Sequence, residues 1–130
     1  MDASDAADAA DRIWDRALKE TGLAPRAGDS ALKALLAFHG EAMNGGVLHA
    51  IGSSSAAELK AARDGYRYFG FDSIAKLIAP PSKDEPDLDL LEERLDDEYY
   101  ADIPDDEVLV RAVYAHIRSH PEAYAPIDLA

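Results

Sequence analysis

The stretch Asn44-Gly45-Gly46 constrains this chain more than any other. Ahead of it Leu32, Leu35, Leu36, His39 and Met43 recur at helical spacing, and directly after it a second apolar run begins at Val47. Glycine takes left-handed backbone conformations at little cost, and asparagine is the next most tolerant. The stretch therefore predicts a helix C-cap leading straight into another helix, with Gly45 or Gly46 at positive φ and one core on both sides. The N–H groups of such a break can bind an anion. No lysine or arginine lies between Lys33 and Lys60 to assist a phosphate, so Asn44, Gly45 and Gly46 are read as an architectural motif.

The same periodicity organises the rest of the chain. A first helix spans Ala3 to Glu20, frayed over residues 1–7, with Ile13, Trp14, Ala17 and Leu18 inward and Gly22 as its stop. Asp29 or Ser30 is expected to cap the second helix, which runs to Met43. Val47–Ile51 forms a short helix. Ser55 and Glu58 form a capping box for the next one, whose inner face is Leu59, Ala62, Tyr66 and Phe69. After Gly70, Asp72 is expected to cap a short helix with Ile74, Ala75, Leu77 and Ile78 inward, ended by Pro80-Pro81. Asp87 starts a helix whose stripe is Leu88, Leu91, Leu95 and Tyr99. A turn around Pro104 leads to the last helix, with Leu109, Ala112, Val113, His116 and Ile117 inward and Pro121 as its end. No strand-like alternation occurs. The expected fold is all-α, a compact single-domain bundle of about six to seven helices over residues 1–130, a length that suits one core.

Charge narrows the function. The chain holds 26 acidic and 13 basic residues, a formal net charge of −13. Between Asp84 and Glu107 thirteen carboxylates face one base, Arg94, so nearly all of the excess lies there. Placed at 100° per residue, Asp89, Glu92, Glu93, Asp96 and Asp97 share one sector beside the apolar stripe. The i, i+4 pairs Asp89/Glu93, Glu93/Asp97 and Glu92/Asp96 each cost a helix about 0.2–0.5 kcal/mol. As one helix, the twenty-four residues would span about 36 Å and carry a net charge about every 3 Å, against about 1.7 Å for duplex DNA. Such a surface repels phosphates and anionic lipid and attracts basic protein surfaces.

Other chemistry is poorly supplied. There is no cysteine, which excludes disulfides, thiolate metal sites and thiol nucleophiles. His116 and His120 have the i, i+4 spacing of metal ligands but lack the glutamate of an H-E-x-x-H motif, so neither metal nor cofactor is expected. His39 and His49 flank the glycine break and, with Asn44, form the alternative candidate, a small-ligand or hydrolytic site. Ser53, Ser54 and Ser55 are explained as caps. The acidic start of the chain lacks the pattern of a secretory signal and no apolar run reaches membrane-spanning length, so a soluble cytoplasmic protein is expected.

The run Glu41-Ala42-Met43-Asn44-Gly45-Gly46-Val47-Leu48-His49, followed by Tyr66-Arg67-Tyr68-Phe69-Gly70-Phe71 and Leu95-Asp96-Asp97-Glu98-Tyr99-Tyr100, resembles the bacterial DNA-mimic protein family, DMP nineteen-like. The likeness covers about residues 32–124. Many members continue past the glycines with an aromatic and a glutamine, where this chain has Val47, Leu48 and His49. The resemblance implies a helical fold and, from the family's characterised member, binding to a DNA-binding transcription factor in place of DNA. The expectation is a non-enzymatic interaction module. Its partner would be a basic protein such as a DNA-binding regulator or a nuclease, with no direct contact to nucleic acid or membrane. Asp89, Glu92, Glu93, Asp96 and Asp97 are the expected partner-binding residues. An immunity-type inhibitor would use the same face.

Overall fold

The computed structural model describes residues 3–19 and 24–127; the side chains of residues 3–6, the expected stop at Gly22 and part of the expected N-terminal fraying lie outside that description. Among the described residues seven α-helices follow one another: α1 (Ala3–Leu18), α2 (Ala27–Gly45), α3 (Val47–Gly52), α4 (Ala56–Tyr68), α5 (Asp72–Leu77), α6 (Leu88–Asp102) and α7 (Asp106–Ser119). A 3-10 turn, Pro121–Ala123, closes the order, and no strand occurs among the described residues. The all-α reading holds.

Helix α2 is the centre. It packs against α4, α3 and α1, while α5 lies on α4, α6 rests on α3 and α5, and α7 lies beside α1. Leu32, Leu35, Leu36, Phe38, His39 and Ala42 of α2 are buried, giving it two faces to cover rather than one stripe. Phe38 meets Tyr66 edge to face, ring centroids 6.0 Å apart. Trp14 of α1 packs the same way on Tyr114 of α7 at 6.2 Å. Helices α2 and α4 come close together at Gly65, where an added Cβ would sit 2.6 Å from the backbone carbonyl oxygen of Ala31. A backbone atom cannot swing aside, so Gly65→Ala is expected to destabilise by about 1–3 kcal/mol, read from the shift in urea midpoint.

Several inward assignments change. Leu18 is exposed because α1 ends there and meets its neighbours through Ala10, Ile13, Trp14 and Ala17. Met43 is exposed because the small Ala42 takes the core position where α3 folds back on α2. Leu88 is exposed in the first turn of α6, ahead of the buried Leu91, Leu95 and Tyr99.

Helix starts follow the expected chemistry in part. The Ser55/Glu58 box is present, with Glu58 N–H donating to Ser55 Oγ at 3.1 Å and Ser55 N–H to Glu58 Oε1 at 2.9 Å. Asp87 caps α6 and Asp105 caps α7. Asp29 and Ser30 do not cap α2, whose cap is Arg26, and Asp72 is the first residue of α5 rather than its cap. Asp29 is instead a buried junction. Its carboxylate accepts the Arg26 N–H at 3.0 Å, the Ala125 N–H at 2.7 Å and the Arg16 guanidinium at 2.6 Å. Arg16 also donates to the carbonyls of Ala125 and Pro126. One ion pair thus ties α1, the start of α2 and the C-terminal segment together. Its three donors offset the desolvation of the carboxylate.

Candidate functional site

The glycine break and the acidic helix, read separately in the sequence, meet in space. Helix α2 runs through Gly45, and of the two glycines of the break Gly46 has positive φ, at φ 95° and ψ 168°. Its N–H closes α2 on the Ala42 carbonyl at 2.7 Å, and its own carbonyl accepts from Ala50 to open α3. The next N–H, of Val47, donates to Asp96 Oδ1 at 2.9 Å. Helix α3 starts without a cap from its own segment, and a carboxylate of α6 supplies one across the fold. The anion at the glycine break is therefore an internal one. The break accepts it without a lysine because a backbone N–H at a helix start favours negative charge.

Asp96 thereby leaves the group of freely available carboxylates. The other four expected residues, Asp89, Glu92, Glu93 and Asp97, are exposed on α6, and among the described residues no cation pairs with any of them. Arg94 leans on Glu98 at 3.9 Å and Arg111 on Glu107 at 2.7 Å, both pairs exposed. The continuous 36 Å rod does not form, because α6 ends at Asp102 and the chain turns through Pro104 before α7. Helix α6 has 15 residues, about 22 Å, with seven carboxylates and one arginine. That is a net charge about every 4 Å along its axis, sparser than the single-helix estimate. Asp84, Glu85 and Asp87 extend the acidic surface at one end, and Asp105, Asp106 and Glu107 at the other.

His39, Asn44 and His49 do not share one set of contacts. His39 is buried between α6 and α7, with Nδ1 2.7 Å from the Tyr99 hydroxyl and Nε2 2.8 Å from Asp106 Oδ1. The Tyr99 hydroxyl lies 2.5 Å from that of Tyr66. For a neutral imidazole, whose Nε2–H donates to the Asp106 carboxylate, donors and acceptors balance along the whole chain in one direction: Tyr66 donates to Tyr99, Tyr99 to His39 Nδ1, and His39 Nε2–H to Asp106. Burial, then the neighbouring Tyr99, drives the Tyr66 hydroxyl far above the ordinary tyrosine value. Burial also raises Tyr99, against a lowering from the hydrogen bond it accepts from Tyr66. Both hydroxyls therefore keep their protons, and the chain links four helices, α4, α6, α2 and α7, running from the core to the exposed Asp106. His49 is exposed and pairs with Glu41 at 3.0 Å, while Asn44 is exposed on the last turn of α2. A groove of about 550 Å³ between α2 and α4 is lined by Ala34, Ala37, Phe38 and Ala61, and by none of these three.

His116 and His120 stack with ring centroids 4.6 Å apart, but His116 Nδ1 is held by the Tyr124 hydroxyl at 2.7 Å. Burial, and then His120, lower the His116 pKa below the ordinary histidine value. No group of three or more potential ligands for a metal ion occurs among the described residues. Nor, among them, is any helix long and apolar enough to cross a membrane. The roles of Asp29 and Gly65 gave no sequence signal beyond an acid near a helix start and a glycine inside a helix.

Seven helices among the described residues, with α2 at their centre and an acidic outer face on α6, define a small all-α domain with one-sided charge. The chain belongs to the DMP19-like protein family, whose model matches residues 25–120. No curated protein matches the chain, and no solved structure does.

Proposed function

We propose that this protein is a non-enzymatic interaction module that uses the outer face of α6 to occupy the basic surface of a DNA-binding protein, acting as a DNA mimic. The observation that carries this reading is the exposure of Asp89, Glu92, Glu93 and Asp97 on one helix without cation partners among the described residues. Repulsion within such a face costs folding energy, whereas a cationic partner would turn the same charges into attraction. Carboxylates at this density steer association over a Debye length, about 8 Å at physiological ionic strength. Binding would then weaken steeply with salt.

The test is affinity capture from lysate at low salt followed by a salt gradient. A captured DNA-binding protein should be released from its own DNA site by this protein and should be lost with the Glu92→Gln/Glu93→Gln/Asp97→Asn variant. Capture that is equal for this variant, or insensitive to salt, overturns the proposal.

A further inference from the structure

Helix α6 shows more than charge on its outer side. Leu90 and Tyr100 are among the most exposed large apolar side chains, at 63 and 47%. With Glu93 and Asp97 they fall at i, i+3, i+7 and i+10, inside one sector about 80° wide. Tyr100 does not project at random. Its hydroxyl donates to Met43 Sδ, 3.9 Å away at the end of α2, and its ring meets Tyr99 edge to face at 6.2 Å. Met43 is itself 42% exposed. The outer stripe thus has an apolar residue at one end, two carboxylates in the middle and a tyrosine–methionine pair at the other end.

A single exposed leucine is ordinary. A helical stripe with apolar ends and an acidic centre has a defined complement. Leu90 and Tyr100 are about 15 Å apart along the axis, about three helical turns, so a second helix lying along α6 presents side chains at the same repeat. We infer that α6 docks a cationic amphipathic helix, with lysines or arginines facing Glu93 and Asp97 and apolar side chains seated on Leu90 and on the Tyr100/Met43 pair. This deepens, and rests on, the reading of the α6 face as the binding face. Charge brings the helix in. The apolar ends, where aromatic and methionine side chains concentrate binding energy, hold it there. A partner read through phosphate-like charge alone would ignore those ends.

Two synthetic peptides of about 18 residues test this by fluorescence anisotropy. Both carry the same lysines, and one has leucines at the complementary positions where the other has glutamines. The leucine peptide should bind at least about tenfold tighter and retain part of its affinity at high salt. Leu90→Ser/Tyr100→Ser should abolish that difference while leaving the glutamine peptide unchanged; both sites are exposed, and circular dichroism confirms the fold. Equal binding of the two peptides, or no effect of the double variant, overturns the docking inference and leaves the acidic-face reading standing. If neither peptide binds at low salt, or Glu93→Gln/Asp97→Asn leaves both unaffected, the acidic-face reading falls with it.

Discussion

Gly46→Ala should lower stability by about 2–4 kcal/mol, while Gly45→Ala should change it by less than about 1 kcal/mol. The two residues are neighbours in one motif but differ in physics. Gly46 sits at φ 95° and ψ 168°, a region that is essentially glycine-only. A Cβ there would also press on the Asp96 carboxylate, 3.2 Å from Oδ2, and loosen the cap it gives to Val47. Gly45 is helical. Its added Cβ would meet the ring of His49 at 2.6 Å and the His49 Cβ at 3.1 Å, an exposed side chain whose ring can swing outward by giving up its contact with Glu41. Urea unfolding of both variants measures the contrast, and equal losses would show that the positive φ at Gly46 is not the critical feature.

The second large effect is expected in the buried hydroxyl chain. Tyr99→Phe leaves the Tyr66 hydroxyl without an acceptor and His39 Nδ1 without a donor, both inside the core. Each orphaned group costs about 1–3 kcal/mol, so a loss of about 2–6 kcal/mol is expected. Tyr66→Phe removes only the terminal donor, and Tyr99 still donates to His39, so about 1 kcal/mol or less should be lost. Chemical denaturation of the two variants reads the direction of the chain. Equal losses, or a larger one for Tyr66→Phe, would reverse the assigned order of donors.

Local signals in the sequence carried much of this architecture. Apolar spacing places each helix, the Ser55/Glu58 cap is legible as a short motif, Asp87 marks the start of α6 to within one residue, and the glycine break marks the passage from α2 to α3. Contacts between distant segments were not legible. Nothing near Asp96 in sequence indicates that Val47, 49 residues away, needs its carboxylate. Asp29 carries the composition of a helix cap, yet its partners come from α1 and from residue 125. His39 stands out beside the glycine break, but its partners Tyr99 and Asp106 lie 60 and 67 residues on. The acidic sector was predicted from helical geometry alone and sits on the exposed side of α6, because Leu91, Leu95 and Tyr99 fix how that helix rotates. Its reach as one helix stops at Asp102, where the turn around Pro104 marked in the sequence begins, and Asp96 is drawn out of it to cap Val47.

The five α6 carboxylates expected to bind a partner divide into one that serves the fold, Asp96, and four whose repulsion the fold tolerates, and this division is what makes the face available to a partner. Thermal unfolding at low salt tests it most directly by comparing Glu92→Gln/Glu93→Gln/Asp97→Asn with Asp96→Ala. The triple variant should melt at or above the parent temperature, because relieving i, i+4 repulsion returns about 0.2–0.5 kcal/mol per pair. Asp96→Ala should melt lower, having lost a helix cap that contributes about 0.5–2 kcal/mol. A triple variant that melts clearly below the parent would show that those carboxylates hold the fold together, and would contradict their assignment to a partner.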